Sequence, residues 1–388
     1  MKIGIIATSS KIVSLDAPGG TEVFCATLTQ GLIKLGHEVL LFATEGSHIE
    51  GARLIVASDK TQGDVNKLFF SQYGRDLTTE EKSIVDINFS ARLLLKAKEF
   101  DGEVDVFHDN ISSFLTGSLS DLFNSPIVTT MHMPPTTYDK YLTIPPLITK
   151  PTNKYIAISK WEKDNAPVES EVIYNGINVT DYIDLEHTNR ENLIWIGRIS
   201  PRTPKGLKEA MEVSLKTGRS LQFSGFVSDQ GYFNSEIEPN ITDQVKQLPI
   251  FTTTKEKNEF YSSALAALFP IMWEEPFGLV FVEAMAAGTP VIAFARGAVP
   301  EIVVDGVTGF IVNSSDEDKR GDWIIKKTGI EGLCEAVEKI YTMPKEEYQK
   351  MRKACRAHVE EKFTSERMVR EYESIYKKVA ENSKKGLE

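Results

Sequence analysis

Glu275-Pro-Phe277-Gly278-Leu279-Val280-Phe-Val-Glu283-Ala-Met-Ala-Ala-Gly288-Thr-Pro290 runs directly into Val291-Ile-Ala-Phe294. A turn, a short helical pattern that stops at Gly288, and a buried-strand pattern follow one another without a gap. A helix feeding a strand this tightly predicts a parallel sheet with crossover helices. The first glutamate precedes a Pro-Phe-Gly turn, and the second stands eight positions on, inside the helix. Orphan N–H groups at Gly278, Leu279 and Val280 would face whatever precedes that helix, where its dipole adds about half a positive charge. Ionised carboxylates accept from vicinal hydroxyls. Two such carboxylates flanking a helix N-terminus suit a ligand with hydroxyls at both ends and a diphosphate between them, with Glu283 on a ribose and Glu275 on a hexose.

The same alternation extends outward on both sides. Downstream of residue 192, strands are expected at Leu193-Ile-Trp-Ile196, Leu221-Gln-Phe-Ser224, Ala266-Ala-Leu-Phe269, Val291–Phe294 and Phe310-Ile-Val312, with a helix over 206–216 ending near Gly218. Upstream, strands are expected at 2–7, 38–42, 105–108, 127–131 and 155–158. Between the first two lie the Pro18-Gly19-Gly20 loop and a helix over 22–35 capped by Thr21. Residues 181–192 are polar and follow neither period, which marks part of a linker. A helical pair covers 331–341 and 345–362. Met368, Tyr372, Ile375, Tyr376 and Val379 recur at helical spacing along a final amphipathic helix over 365–385. The expected architecture is α/β, with two Rossmann-like, doubly wound domains over 1–170 and 171–364. In such sheets ligands sit beyond the carboxyl ends of the strands.

Composition narrows the function. The chain has 388 residues and a formal net charge of −11, so a nucleic-acid surface is not the default. No signal peptide is visible at the start. The most apolar window, 277–299, is broken by Glu283, Gly288, Pro290 and Arg296, so no transmembrane segment is expected, although peripheral membrane contact stays compatible with the composition. The three cysteines, Cys25, Cys334 and Cys355, form no CxxC, which points to a reducing, cytoplasmic setting. No His-x-His or His-x3-His pair is present, so no metal site is expected. No GxGxxG asks for a nicotinamide dinucleotide.

Chemistry-bearing residues fall at the strand ends. Gly197-Arg198 follows one strand and Lys205-Gly206 opens the next helix. Two cations there can neutralise a leaving diphosphate, Arg by forked bonds and Lys as a point charge. Arg202, in the intervening Pro201-Arg-Thr-Pro204 loop, competes with Lys205 for the second place. Gly19 and Gly20 allow close backbone approach after the first strand. His108 and His132 end successive strands of the first half.

These elements resemble the E-x7-E signature and accompanying motifs of retaining glycosyltransferases with the GT-B fold, in particular glycosyltransferase family 4. The resemblance spans about residues 1–44, 104–178 and 192–312, with the greater specificity in the second half. It implies two domains facing a cleft, with the last helix folded back onto the first domain. It implies a donor site of Arg198, Lys205, Glu275, Phe277, Gly278, Leu279, Val280 and Glu283, with Gly225 where the base commonly lies against backbone. It places Gly19 and Gly20 on a phosphate- and acceptor-side loop, His132 near the hexose and reacting bond, and His108, Asp109 and Asn110 on the acceptor side. Gly297-Ala-Val-Pro-Glu301 matches a further loop. Ser159-Lys160 and Asn175-Gly176-Ile177 match elements near the domain junction, read here as turn and hinge chemistry. The chain departs from the pattern at Asn178, where Asp is usual, and at Ile271, where a hydroxyl is usual. The proline-rich 138–151 stretch reads equally as an acceptor-facing loop or a packed surface loop. The implied activity is transfer of a sugar from a UDP- or GDP-type donor to a glycan, lipid-linked or small-molecule acceptor, with no cofactor. A GT-B sugar-nucleotide epimerase, a sugar phosphorylase and a non-catalytic nucleotide-sugar binder are the alternatives.

Overall fold

The first sheet is built from β1 (Lys2–Ile6), β2 (Glu38–Thr44), β3 (Arg53–Ser58), β4 (Val106–Asp109), β5 (Ile127–Thr130), β6 (Lys154–Ala157) and β7 (Ser170–Val172). The computed structural model describes residues 1–8, 10–17, 19–111, 114–134, 153–183 and 190–385. All pairings are parallel and the order is β3-β2-β1-β4-β5-β6-β7. The strands are apolar on both faces because helices cover both. The helix Gly20–Lys34 starts two residues before its expected position. Gly19, not Thr21, holds its cap position, and no side chain caps it.

The final helix, Ser365–Lys385, belongs to this first unit. Its Met368, Val369, Tyr372, Ile375 and Tyr376 are buried in one core with Phe24, Cys25, Leu28 and Leu32. The approach is close enough that a Cβ on Gly31 would lie 2.3 Å from the Val369 side chain. Arg367 donates to the carbonyls of Tyr174 (2.6 Å) and Asn175 (3.2 Å), and His37 Nε2 meets Glu373 at 2.9 Å.

The second sheet contains β8 (Leu193–Ile199), β9 (Leu221–Val227), β10 (Val245–Gln247), β11 (Ala266–Phe269), β12 (Val291–Phe294) and β13 (Gly309–Val312), in the order β10-β9-β8-β11-β12-β13. It too is parallel throughout. In both sheets the order reverses beside the first strand, at β1/β4 and at β8/β11. Such switch points are where open α/β sheets receive ligands.

The first unit covers 1–176 and 365–388, and the second 177–364. The division lies beyond the expected 170/171 because β7 continues the first sheet beside β6. Residues 181–192, expected in the linker, fall within the second unit, and 184–189 of them lie outside the described residues. So does the proline-rich 138–151 stretch. Among the described residues no helix is long and apolar enough to cross a membrane.

Candidate active site

In the second unit, β8 runs on past its expected end because its pairing with β9 continues to Ile199–Val227. Arg198 therefore sits within the strand's last turn of pleat, with its side chain exposed. Gly197 and Gly225 are paired across these strands. A Cβ on Gly225 would lie 2.1 Å from the Gly197 carbonyl oxygen, so glycine is needed there to let the two backbones meet.

Lys205 follows in the next loop. The indole of buried Trp195 donates to its carbonyl at 3.0 Å. Gly206, at φ +81°, has its Cα over the Pro270 carbonyl, where a Cβ would collide at 2.0 Å. These contacts fix the lysine backbone against the end of β11. Its Nζ pairs with Glu275 Oε2 and lies 4.2 Å from the centre of the Trp273 ring. Burial pulls the Lys205 pKa down, while the Glu275 carboxylate pushes it back up. Trp273 Nε1 donates to the same Oε2 at 2.8 Å. Arg202, the rival cation, is exposed on the loop.

Three consecutive residues thus divide between two tasks. Trp273 and Glu275 turn toward Lys205. Glu274 turns toward Arg320, which binds it with two nitrogens at 2.6 Å each, Arg296 at 3.1 Å and the Gly297 N–H at 2.7 Å. Burial alone would raise the Glu274 carboxyl; Arg320, the Gly297 N–H and Arg296 together outweigh it and hold the group below its ordinary value. Gly297, at φ +55°, packs so tightly on Glu275 that a Cβ would meet its carbonyl oxygen at 2.1 Å. Ala298 N–H donates to that oxygen at 2.8 Å. The expected Gly-x-x-Pro-Glu loop is therefore the backing of the Glu275 loop.

The helix Leu279–Ala286 starts at Gly278, whose φ of +90° only glycine adopts without strain. Leu279 and Val280 are half-buried. Glu283 is almost wholly buried, and Tyr261 Oη donates to its Oε2 at 2.8 Å. Burial, then the Glu283 charge, push the Tyr261 hydroxyl pKa well up. Phe277 departs from expectation: it is buried against Phe363 with ring centres 5.7 Å apart. Its side chain is core and offers a donor nothing beyond its backbone.

The first unit treats its candidates differently. His108 lies inside β4 and is fully buried. Its Nδ1 meets Tyr376 Oη at 2.6 Å and its Nε2 meets Thr130 Oγ1 at 2.7 Å, while Thr130 meets Tyr372 Oη at 2.9 Å. Both ring nitrogens are thus engaged by core partners, and burial, then His132, hold the ring neutral. The expected acceptor-side place for His108 is corrected to a polar key between sheet and final helix. Asp109 is buried and accepts from the Ile111 N–H at 3.0 Å. Asn110 is buried, donates to the Ile6 carbonyl at 3.3 Å and accepts from His132 Nε2 at 3.0 Å. His132 follows β5, is half-buried, and rests edge-on against Phe24 with centres 4.7 Å apart. Burial pushes its pKa down to about 3.

Gly19 and Gly20 open the helix after β1, and Pro18 lies outside the described residues. Sequence reading missed Glu22 beside them. Its buried carboxylate accepts from Thr8 Oγ1 at 2.5 Å and Ser10 Oγ at 2.6 Å, and a Cβ on Gly19 would fall 1.9 Å from Oε2. The missing Cβ of Gly19 makes room for this carboxylate. Ser159 caps the short helix Lys160–Asn165, and Gly176-Ile177 is the unit boundary, in keeping with turn and hinge chemistry.

Two family profiles match the chain in tandem: the one described as Glycosyltransferase Family 4 over residues 18–181 and the one described as Glycosyl transferases group 1 over 183–358. The chain belongs to glycosyltransferase family 4. This GT-B glycosyltransferase is 25% identical over 339 residues to a phosphatidyl-myo-inositol mannosyltransferase of Mycolicibacterium smegmatis, with 82% of each chain covered. Other curated relatives align over less than two thirds of their own length. Among solved structures, a sucrose-phosphate synthase from Thermosynechococcus elongatus superposes with a TM-score of 0.76 at 19% identity, covering 97% of this chain and 98% of that one. Anabaena Alr3699/HepE, in complex with UDP and glucose, gives 0.73 at 17% identity, covering 97% and 100%. These likenesses establish the fold shared by the glycosyltransferase.

Proposed function

We propose that this glycosyltransferase transfers a hexose, with retention at the anomeric carbon, from a UDP- or GDP-type nucleotide sugar to an acceptor hydroxyl. The observation that carries the reading is the pairing of Lys205 with Glu275 at the β8/β11 switch point, with the Arg198 charge close enough to act on Lys205 and the helix start at Gly278 following in the chain. Departure of the diphosphate breaks the bond between the anomeric carbon and the leaving oxygen and builds negative charge on the phosphate. Arg198, Lys205 and the helix N-terminus would meet that charge as fixed stabilisers. Glu275 would accept from hexose hydroxyls and Glu283 from the ribose. The acceptor oxygen forms the new bond on the same face, and its proton passes to the leaving phosphate. Retention rests on the resemblance of the glutamate pair to that of the retaining family. No resident cofactor enters this reaction.

The acceptor is a glycan, a lipid-linked species or a small molecule, with His132, Asn110 and the Gly19-Gly20 loop as the first unit's acceptor-side residues. The phosphatidyl-inositol relative adds a lipid-linked polyol to the panel worth testing. The decisive experiment is thermal unfolding with UDP, GDP and ADP and their sugars. One base, with a larger shift for one sugar, is the expected result. Ligand linkage gives about 2.7 kcal/mol at a hundredfold excess over Kd. No shift with any of them would overturn the reading. The anomeric configuration of the product, read by NMR, tests retention.

A further inference from the structure

The two glutamates share a feature beyond their spacing. Glu275 Oε2 receives the Trp273 indole N–H as well as Lys205, and Glu283 Oε2 receives the Tyr261 hydroxyl. Neither Oε1 takes a hydrogen bond among the described residues. Each carboxylate is thus held at one oxygen by a rigid aromatic donor and keeps the other for a ligand. The two donors come from different places: Trp273 from the loop after β11, two residues before its partner, and Tyr261 from the helix Thr254–Ser263. Arranging the same contact twice, from unrelated elements, gives both carboxylates a common requirement.

The requirement is orientational. A free glutamate side chain rotates about its last bond, and a hydrogen bond to a sugar hydroxyl is worth most when the oxygen is already aimed. An indole or phenol donor has few torsions of its own, so it holds a carboxylate at small entropic cost. At Glu275 there is a second task. Lys205 is tied to the same Oε2, so a cation needed by a diphosphate is engaged with the carboxylate needed by the sugar. The Trp273 N–H keeps Oε2 satisfied when Lys205 turns to phosphate, and the ring face beneath Nζ favours the charged ammonium in either position.

We propose that Trp273 and Tyr261 are paired positioning residues, Trp273 aiming Glu275 at the hexose end of the nucleotide sugar and Tyr261 aiming Glu283 at the nucleoside end. The inference rests on the donor-site reading above and assigns its two halves to separate supports. It requires the two residues to act on different parts of one ligand, which a purely structural role would not do.

The test uses the full-length chain with UDP, GDP, UDP-glucose and GDP-mannose as probes, in titration calorimetry and, with the preferred donor, in turnover of donor to nucleoside diphosphate. Tyr261→Phe keeps the ring and removes the hydroxyl; Trp273→Phe keeps an aromatic ring and removes the N–H together with the fused five-membered ring. Hydrogen bonds to charged groups support an expected loss of about tenfold or more in each case. Tyr261→Phe should weaken the free nucleoside diphosphate and its sugar equally and raise KM, leaving kcat near wild type. Trp273→Phe should leave the free nucleoside diphosphate within twofold, weaken the sugar-bearing donor and lower kcat. Trp273→His, which restores a ring N–H, should recover part of that loss. Equal losses on both probes in both variants, or no loss in either, overturn the pairing while the donor-site reading stands. Wild-type protein that binds none of the four probes overturns both.

Discussion

The two units carry the same strand order and differ in what they do with polar residues at the switch point. In the second unit, Arg198 lies at the end of β8, Lys205 and Glu275 on loops and Glu283 within the following helix, with carboxylate oxygens left open. In the first unit, the most suggestive residue, His108, is taken into the core and spends both nitrogens on Tyr376 and Thr130. A titratable residue near a strand end therefore says little by itself. What separates the cases is whether a later segment of chain comes to cover it.

The largest effect that could break this contrast is on turnover. Arg198→Ala, Lys205→Ala and Glu275→Ala should each lower kcat by about 10²–10³-fold with far-UV circular dichroism retained. A near-wild-type rate in Arg198→Ala or Glu275→Ala would remove the charged site from the mechanism. Next comes His108→Leu. It removes the imidazole partner of the buried Tyr376 hydroxyl and one of the partners of Thr130, and should cost about 2–4 kcal/mol of stability in urea titration, with turnover per folded molecule preserved. If turnover fell while stability held, the first unit would be using this histidine as the second unit uses its lysine.

A smaller effect sharpens the account of the loop. Glu274→Gln loses the charge that binds Arg320 and Arg296 but keeps the Gly297 acceptor. It should lower kcat by about tenfold through the neighbouring Glu275, and the loss should grow as added salt screens the remaining contacts. The last concerns pH. His132 is held neutral in the folded chain down to about 3, below its unfolded value of about 6.5. The unfolded chain binds the extra proton first, so this contribution is whole above about pH 6.5 and is lost as pH falls toward 3. The fall of the urea midpoint across that window should be shallower in His132→Asn than in wild type.

Much of the second unit could be read from sequence because its constraints are local. Gly278 must be glycine for its positive φ, Gly288 must stop the helix, and β12 must follow at once. The strands at 266–269 and 291–294 and the helices at 345–362 and 365–385 were legible to the residue, since each has a strong period and abrupt ends. The supports of the site were not. Tyr261, Trp195 and Arg320 reach Glu283, Lys205 and Glu274 from other elements, and nothing in their own surroundings names the partner. Glu22 was the exception that local reading could have caught, standing three residues after Gly19, whose missing Cβ makes room for it. The fate of His108 was out of reach for the same reason: its partner Tyr376 is 268 residues away.

That separation has a consequence for how the chain is made. The first unit's core includes Met368, Val369, Tyr372, Ile375 and Tyr376, which are translated only after the whole of the second unit. At about 5–20 residues per second, roughly 10–40 s pass between emergence of β7 and arrival of the helix that completes the core. During that interval Phe24, Leu28 and Leu32 lack the part of their cover that the final helix supplies. The first unit is thus completed late by its chain order, and a chain truncated before residue 365 should leave that helix face uncovered and bind a hydrophobic dye more strongly than the full chain.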